Sequence, residues 1–288
     1  MSQPSGPELT SIRSPRVKAA RQLGKRALRV RSKSFLAEGP QAVSEALARG
    51  GVVTELFLTA AARSRHAGLV AQASRQGAAV HAVSGEVMAE LAQTITPQGI
   101  LAVCQFVDVP LSALTAAAPR LVTILANVRD PGNAGTVLRT ADAAGADGVV
   151  FSDASVDPYN SKCVRASAGS IFHLDLVQGG PVAAVVAGLR AAGLRVLAAD
   201  GSSGQSLDQV EPRGTLSEPT AWLFGNEAWG LPADLLALAD ETVAVPIYGR
   251  AESLNLAAAA AVCLYASARA QRIHDEGAAA QPPRRARV

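Results

Sequence analysis

Cysteine is scarce in this chain of 288 residues. Cys104, Cys163 and Cys263 are odd in number, far apart, and set among apolar or small neighbours. No CxxC or Cys/His spacing is present, which excludes a readable disulfide framework and the usual zinc ligand patterns. Buried free thiols in a reducing compartment are expected. Histidine is equally thin: His66, His81, His173 and His274 are scattered, and no metal is expected. Charged residues are only 18% against 49% hydrophobic, which leaves room for substantial cores and argues against wholesale disorder. Long apolar runs are also missing. The N-terminus is polar and lacks the apolar region of a signal peptide. The longest apolar helix pattern, Leu256 to Ala266, falls short of the ~20 residues that span a bilayer. A soluble, cytoplasmic protein without membrane attachment is expected.

Acidic residues are missing from one stretch in particular. Between Arg13 and Lys33 stand nine basic residues (Arg13, Arg16, Lys18, Arg21, Lys25, Arg26, Arg29, Arg31 and Lys33) and no acidic one. Without those nine, 18 of the 27 basic residues face 24 acidic ones, although the net charge is +3. A mildly acidic body with a basic N-terminal segment is the footprint of a polyanion binder. A solvated helix face is the alternative.

Pattern divides the chain into stretches. Residues 1–12 are Ser/Pro/Gly-rich and expected to be a flexible tail. Residues 13–107 open with a basic helix from about Pro15 to Arg31. An α/β alternation follows, with strands at Phe35-Leu-Ala, Val52–Leu58, Ala79–Val83 and Ile100–Phe106. Residues 108–120 contain two prolines within Asp108–Pro119 and read as a linker. From 121 to 272, continuous apolar runs at Leu121–Leu125, Gly148–Phe151, Leu194–Ala198, Ala221–Phe224 and Thr242–Val245 alternate with helical segments. Runs apolar on both faces predict a parallel sheet covered on both sides. Residues 273–288 read as a disordered tail.

Three segments in this second part begin where an apolar run ends. They are Asn127-Val-Arg-Asp-Pro-Gly-Asn-Ala-Gly-Thr-Val-Leu-Arg139, Leu223-Phe-Gly-Asn-Glu-Ala-Trp-Gly230 and Val243-Ala-Val-Pro-Ile-Tyr-Gly-Arg-Ala-Glu-Ser-Leu-Asn255. In open α/β sheets ligands bind beyond the carboxyl ends of strands, so three such loops can share a pocket. The first is a glycine-rich turn before a helix, suited to an anion such as an RNA phosphate. It is neither GxGxxG nor GxxxxGK[ST], so dinucleotide and Walker-type readings lack their defining residues. Arg139 on a small, apolar helix is costly to bury without a partner, and Asp142 offers an intrahelical one. Two glycines around Glu227 fit close backbone approach to a ligand with the carboxylate facing it. Asn255 is open to a second reading as a simple helix N-cap.

Taken together, these segments resemble the SpoU/TrmH family of SPOUT RNA 2′-O-ribose methyltransferases. The matching positions are Asn127, Arg129, Asp130, Asn133, Gly135 and Arg139, then Leu223, Gly225, Glu227 and Gly230, then Val245, Pro246, Gly249, Ser253, Leu254 and Asn255. The resemblance implies a parallel-sheet SPOUT domain with a deep trefoil knot, behind a smaller N-terminal L30e-like α/β domain that binds RNA. It implies a homodimer with a shared active site and S-adenosylmethionine as cofactor, held near Gly225, Val245, Ile247 and Leu254. Arg139 corresponds to the family's essential arginine, with Asn133, Glu227, Ser253 and Asn255 as supporting catalytic residues. The basic residues Arg13, Arg16, Lys18, Arg21, Lys25, Arg29 and Arg129 are the candidate RNA contacts.

A guanidinium with pKa above about 12 does not readily accept a proton. Arg139 is therefore expected to clamp the target phosphate and stabilise the developing alkoxide rather than serve as the base. The separate N-terminal domain favours ribosomal RNA, of the 23S type, over tRNA as substrate. A non-catalytic RNA-binding or ribosome-assembly protein is the alternative of a different class, and an intact donor pocket argues against it. A third reading, a nicotinamide enzyme, lacks its glycine fingerprint. Departures from the family pattern are Tyr248 and Glu252, which flank the core of the third segment, and Ala257–Ala261 in place of the more usual Val-Ser start of the last helix.

Overall fold

The computed structural model describes residues 7–92 and 94–280, the side chains of 277–280 excepted. The elements run α1 (Pro15–Gln22), α2 (Arg26–Ser32), β1 (Ser34–Glu38), α3 (Pro40–Arg49), β2 (Val53–Leu58), α4 (Ala60–Arg65), α5 (Ala67–Arg75), β3 (Ala79–Ala82), α6 (Gly85–Leu91) and β4 (Ile100–Gln105). They continue with α7 (Leu111–Ala116), β5 (Leu121–Leu125), α8 (Pro131–Ala144), β6 (Gly148–Phe151), α9 (Ser161–Ala166), β7 (Asp175–Gln178), α10 (Val182–Ala191) and β8 (Arg195–Ala199). Last come α11 (Leu207–Val210), β9 (Thr220–Phe224), α12 (Ala233–Leu236), β10 (Glu241–Val243) and α13 (Leu256–Ala280). The chain forms two compact units. The first holds the described part of Met1–Asp108 with Pro131–Arg139 and Val156–His173; the second holds Val109–Asp130, Thr140–Ser155 and the described part of Leu174–Val288.

A mixed sheet of order β1-β4-β2-β3 organises the first unit, with β4 antiparallel to both neighbours and β2 parallel to β3. Every strand expected between Phe35 and Phe106 forms. The basic stretch, expected as one helix, is broken into α1 and α2. Arg29 explains the break: its Nη1 donates to the carbonyls of Leu23 and Gly24 at 2.8 and 2.9 Å, satisfying groups that an ending helix leaves orphaned. Val17, Ala20 and Leu23 of α1 join Val87, Met88 and Leu91 of α6 in one core, so the apolar stripe of α1 faces inward. The expected flexible tail is tied down from its described part onward, because Leu9 N–H donates to Ala82 O at 2.8 Å. Residues 1–6 lie outside the described residues.

The segment 156–173 is pinned to the same unit by aromatic packing. Tyr159 stacks on Phe106 with centroids 3.8 Å apart and lies 4.7 Å from Phe35. Its hydroxyl accepts from the amides of Val107 and Asp108 and donates to Asp108 Oδ1 at 2.6 Å. Burial, reinforced by Asp108, pushes this hydroxyl's pKa well up. The helix α9 then meets the first part of α8 closely: a Cβ on Gly135 would lie 2.3 Å from Cys163 O.

The second unit is built on a six-stranded sheet, β10-β8-β9-β5-β6-β7, in which every pairing is parallel. Both faces are buried, as continuous apolar strands require. Val122, Ile124, Val196 and Leu223 meet Val185, Val186 and Leu189 of α10 in one core. Trp222 is fully buried and donates its Nε1–H to Ser267 Oγ of α13 at 2.9 Å. The expected linker contains a helix, α7, which begins directly after Pro110 as N-cap and whose Leu114 is drawn into this core. The expected disordered tail is also shorter than 273–288. The helix α13 runs on to Ala280, and Arg120 holds Asp275 by a hydrogen bond of 2.6 Å that lowers its pKa. Residues 281–288 lie outside the described residues. All three cysteines are buried free thiols, and burial pushes those of Cys104 and Cys263 far up.

Candidate active site

β5 and β9 are parallel neighbours, Leu125 beside Phe224, so their carboxyl ends open side by side. The winding reverses next to β5: β6 and β7 lie on one side and β9, β8 and β10 on the other. Doubly wound sheets bind ligands at such a point. Beyond β5, Asn127 turns through φ 59°, a left-handed conformation that asparagine tolerates better than most residues. Its carbonyl accepts from Asn226 Nδ2 at 2.8 Å and its N–H donates to Ser152 Oγ at 3.2 Å. Val128 N–H donates to Ser155 Oγ, which in turn donates to Leu125 O at 2.8 Å. The sequence shows only a serine pair three residues apart after β6; its work as a brace for this loop depends on the fold.

Glu227 completes the brace. Its Oε2 accepts from Arg129 N–H at 3.3 Å and its Oε1 from Asp130 N–H at 3.1 Å. These are the last amides before Pro131, where a carboxylate is favoured by the start of α8. The expectation of a carboxylate facing a ligand is thus refined: both oxygens of Glu227 hold backbone. Gly225 also serves its own loop. A Cβ there would lie 2.4 Å from both C and O of Gly230. The loop folds back through paired 2.9 Å hydrogen bonds between Asn226 and Gly230.

Residues 244–255 form an irregular loop into α13. Ser253 is exposed, and Ile247 and Leu254 are about two-fifths exposed. Asn255 is the N-cap of α13, its Oδ1 accepting from Ala257 N–H at 2.9 Å. A groove of about 550 Å³ runs along this loop, lined by Leu207, Val245, Pro246, Tyr248, Leu254 and Tyr265, with Asp208 and Glu211 on its wall. Tyr248 donates to Asp208 Oδ2 at 2.6 Å, which raises the tyrosine's pKa. Of the four expected cofactor contacts, Val245 and Leu254 share this groove; Gly225 and Ile247 are not among its lining residues.

Asn133 and Arg139 belong to the part of α8 in the first unit. The helix starts at Pro131, so Asn133 stands in its first turn rather than in a loop ahead of it. Asn133 is half-buried and Arg139 exposed. Of the candidate RNA contacts, Arg13, Lys18, Lys25 and Arg129 are exposed. Arg16 Nη1 lies 2.6 Å from His81 Nε2 and 3.4 Å from Glu55 Oε2, and Arg21 pairs with Glu90. Such exposed pairs are weak and can exchange a carboxylate for a phosphate. Arg29 is the correction. It is 4% exposed and donates from Nε and Nη2 to Asp157 Oδ2 at 3.1 and 2.6 Å. With its guanidinium committed to Asp157 and two carbonyls, it is a structural strut and not a phosphate contact. Arg26 and Arg31 of the same segment are exposed in its place.

Among the described residues, no helix is long and apolar enough to cross a membrane. The model of the SpoU rRNA methylase family matches residues 120–265, and that of the MRM3-like substrate binding domain matches residues 14–102. The chain is 34% identical over 258 residues to the 23S rRNA (guanosine(2553)-2′-O)-methyltransferase of Bacillus subtilis, covering 90% of this chain and 98% of that protein. It is 32% identical over 256 residues to the 23S rRNA (uridine(2479)-2′-O)-methyltransferase of Streptomyces viridochromogenes, covering 87% and 88%. The AdoMet-bound rRNA methyltransferase of Sinorhizobium meliloti is similar in structure, with a TM-score of 0.81 at 32% identity over 91% of this chain and 97% of that one. With matches on both parts of the chain and over nearly its full length, the protein belongs to the SpoU rRNA methylase family.

Proposed function

We propose that this protein transfers a methyl group from S-adenosylmethionine to a ribose 2′-hydroxyl of 23S-type ribosomal RNA, in the cytoplasm. The observation that carries the reading is the braced carboxyl edge of the parallel sheet, in a chain whose relatives are named as 23S rRNA 2′-O-methyltransferases.

The third loop fits the donor. Its irregular backbone offers N–H and C=O groups to an adenine edge, and Val245, Pro246 and Leu254 supply apolar wall. The groove's size falls within the range of small-molecule sites, roughly 300–1,000 Å³. Asp208 on the groove wall complements the donor's positive charge, while Glu211 is paired with Arg269 of the same groove. Gly225, Val245, Ile247 and Leu254 would hold S-adenosylmethionine, which supplies an electrophilic methyl group when bound. The remaining chemistry belongs to the chain. Arg139 grips the target phosphate through its planar fork and stabilises the developing alkoxide, the hydroxyl proton passing to solvent water. Asn133, Ser253 and Asn255 are supporting catalytic residues, and Glu227 keeps the loop before α8 in place. Arg13, Arg16, Lys18, Arg21, Lys25 and Arg129 hold flanking phosphates.

The active unit is a homodimer. Support comes from the apolar residues that α13 and the third loop leave exposed: Tyr248, Leu254, Val262, Tyr265 and Ile273. The knot is supported by α13 packing on the 3₁₀ turn Thr215–Ser217, which lies in the loop between β8 and β9. The first unit is an L30e-like substrate domain, a reading supported by its α/β alternation around a four-stranded sheet. Titration with S-adenosylhomocysteine tests the donor site: wild type and Arg139→Ala bind, and Asn255→Ala binds more weakly. Absence of binding by wild type, with or without rRNA, overturns the assignment.

A further inference from the structure

A second hollow, of about 300 Å³, opens in the first unit between α4, α6 and the turn at residues 97–99. Ala62, Met88 and Pro97 give it apolar walls, Gln98 contributes an amide, and Arg65 is the only charged one among its described lining residues. Its shape is held by close backbone contacts. Gly99 has φ +80°, and a Cβ there would lie 2.8 Å from Thr59 Oγ1 and 3.1 Å from Ala62 Cβ. Thr59 N–H donates to Gly99 O at 2.9 Å, and Thr59 Oγ1 accepts from Ala62 N–H.

Two further features bear on what fits there. The helix α6, which supplies Gly85, Met88 and Ala89 to the hollow, also packs on α1, whose Lys18 is exposed and whose inward residues share a core with Met88. Ile95, on the chain entering the 97–99 turn, is fully exposed. An apolar slot with one amide and one guanidinium, beside a cationic helix, matches an unstacked base on a charged backbone. RNA is read in this way: bases of single-stranded segments are splayed out, packed against flat side chains and hydrogen-bonded at their edges.

We infer that this hollow receives one unstacked nucleobase of the RNA substrate. Gln98 hydrogen-bonds the base edge, Arg65 flanks it, and the cations of α1 hold neighbouring phosphates. The assignment rests on the RNA-methylating function proposed above. It makes the hollow a recognition site for the substrate, remote in role from methyl transfer.

The test is methylation of a 23S rRNA transcript by the full-length protein carrying Ala89→Trp or Gln98→Ala. Ala89 is already exposed, so an indole there fills the hollow from outside, and Gln98→Ala removes the hydrogen bond without adding bulk. Melting temperature and S-adenosylhomocysteine binding report that each variant is intact. The expected result is a KM for RNA raised about tenfold in Ala89→Trp, from loss of the base's burial and edge contact, with kcat at saturating RNA unchanged. Gln98→Ala gives a smaller rise. Wild-type KM in both variants overturns the base site and leaves the reaction standing. A wild-type protein that methylates no ribose in the transcript overturns the proposed function, and the base site with it.

Discussion

The basic segment of the first unit and the sheet-edge loops of the second use charge in opposite ways. Along α1 and α2 most cations point outward, some beside single carboxylates, and Arg29 alone is buried. At the sheet edge the charge of Glu227 is committed to two backbone amides. A solvated cation is one of many and can be traded for its neighbour. A carboxylate that holds a backbone turn has no substitute nearby. Arg29 lies in the first region but behaves like the second, since it anchors carbonyls and a buried aspartate.

Removing Arg29 breaks this contrast most severely. Arg29→Met leaves Asp157 buried without its cation, so unfolding free energy should fall by about 3–5 kcal/mol in denaturant titration. Lys18→Gln and Lys25→Gln leave stability unchanged; an equal loss in all three would erase the distinction. Next is Glu227→Ala, which frees the amides ahead of α8. With positioning lost, kcat should drop about 100-fold while the melting temperature moves little, and Glu227→Gln, with one acceptor oxygen left, should fall between. A smaller effect follows from the outward cations. Each of Lys18→Gln and Lys25→Gln should flatten the salt dependence of RNA binding by about 0.7 in the log–log slope, with donor affinity unchanged.

The smallest effect concerns His81. Burial, and then Arg16, hold its pKa below the ordinary value, against the pull of Glu55. The unfolded chain therefore binds more protons in the window below the ordinary histidine value of about 6.5, and stability falls as pH falls through it. His81→Gln should lose that slope in a pH series of melts. A wild-type melting temperature that rises on acidification from pH 7 to 5 would contradict the sign.

Strands were legible where burial on both faces writes a continuous apolar run, as at Leu121–Leu125 and Thr220–Phe224. β7 was not, because only Leu176 and Val177 of its four residues are buried. The glycine-rich turn expected before a helix is the first turn of α8 itself, since Asp-Pro-Gly-Asn reads as a turn whereas Pro131 suits the first helical position. Residue types at the candidate site were legible; their partners were not. Arg29 meets Asp157 across 128 residues, and nothing local separates it from Lys25. The left-handed turn at Asn127 and the brace from Ser152, Ser155 and Asn226 depend on the order of strands, which spacing alone does not state. The capping role of Asn255 was legible from its place just ahead of an apolar helix.

The most direct test of ribose methylation is to incubate the protein with a 23S rRNA transcript and methyl-labelled S-adenosylmethionine, then hydrolyse the RNA in alkali. Methylation at the 2′-oxygen removes the nucleophile that cleaves the adjacent phosphodiester. The label should therefore appear in an alkali-resistant dinucleotide, and Arg139→Ala should abolish it. Label released only in mononucleotides, as base methylation gives, or no label in RNA at all, would contradict the account.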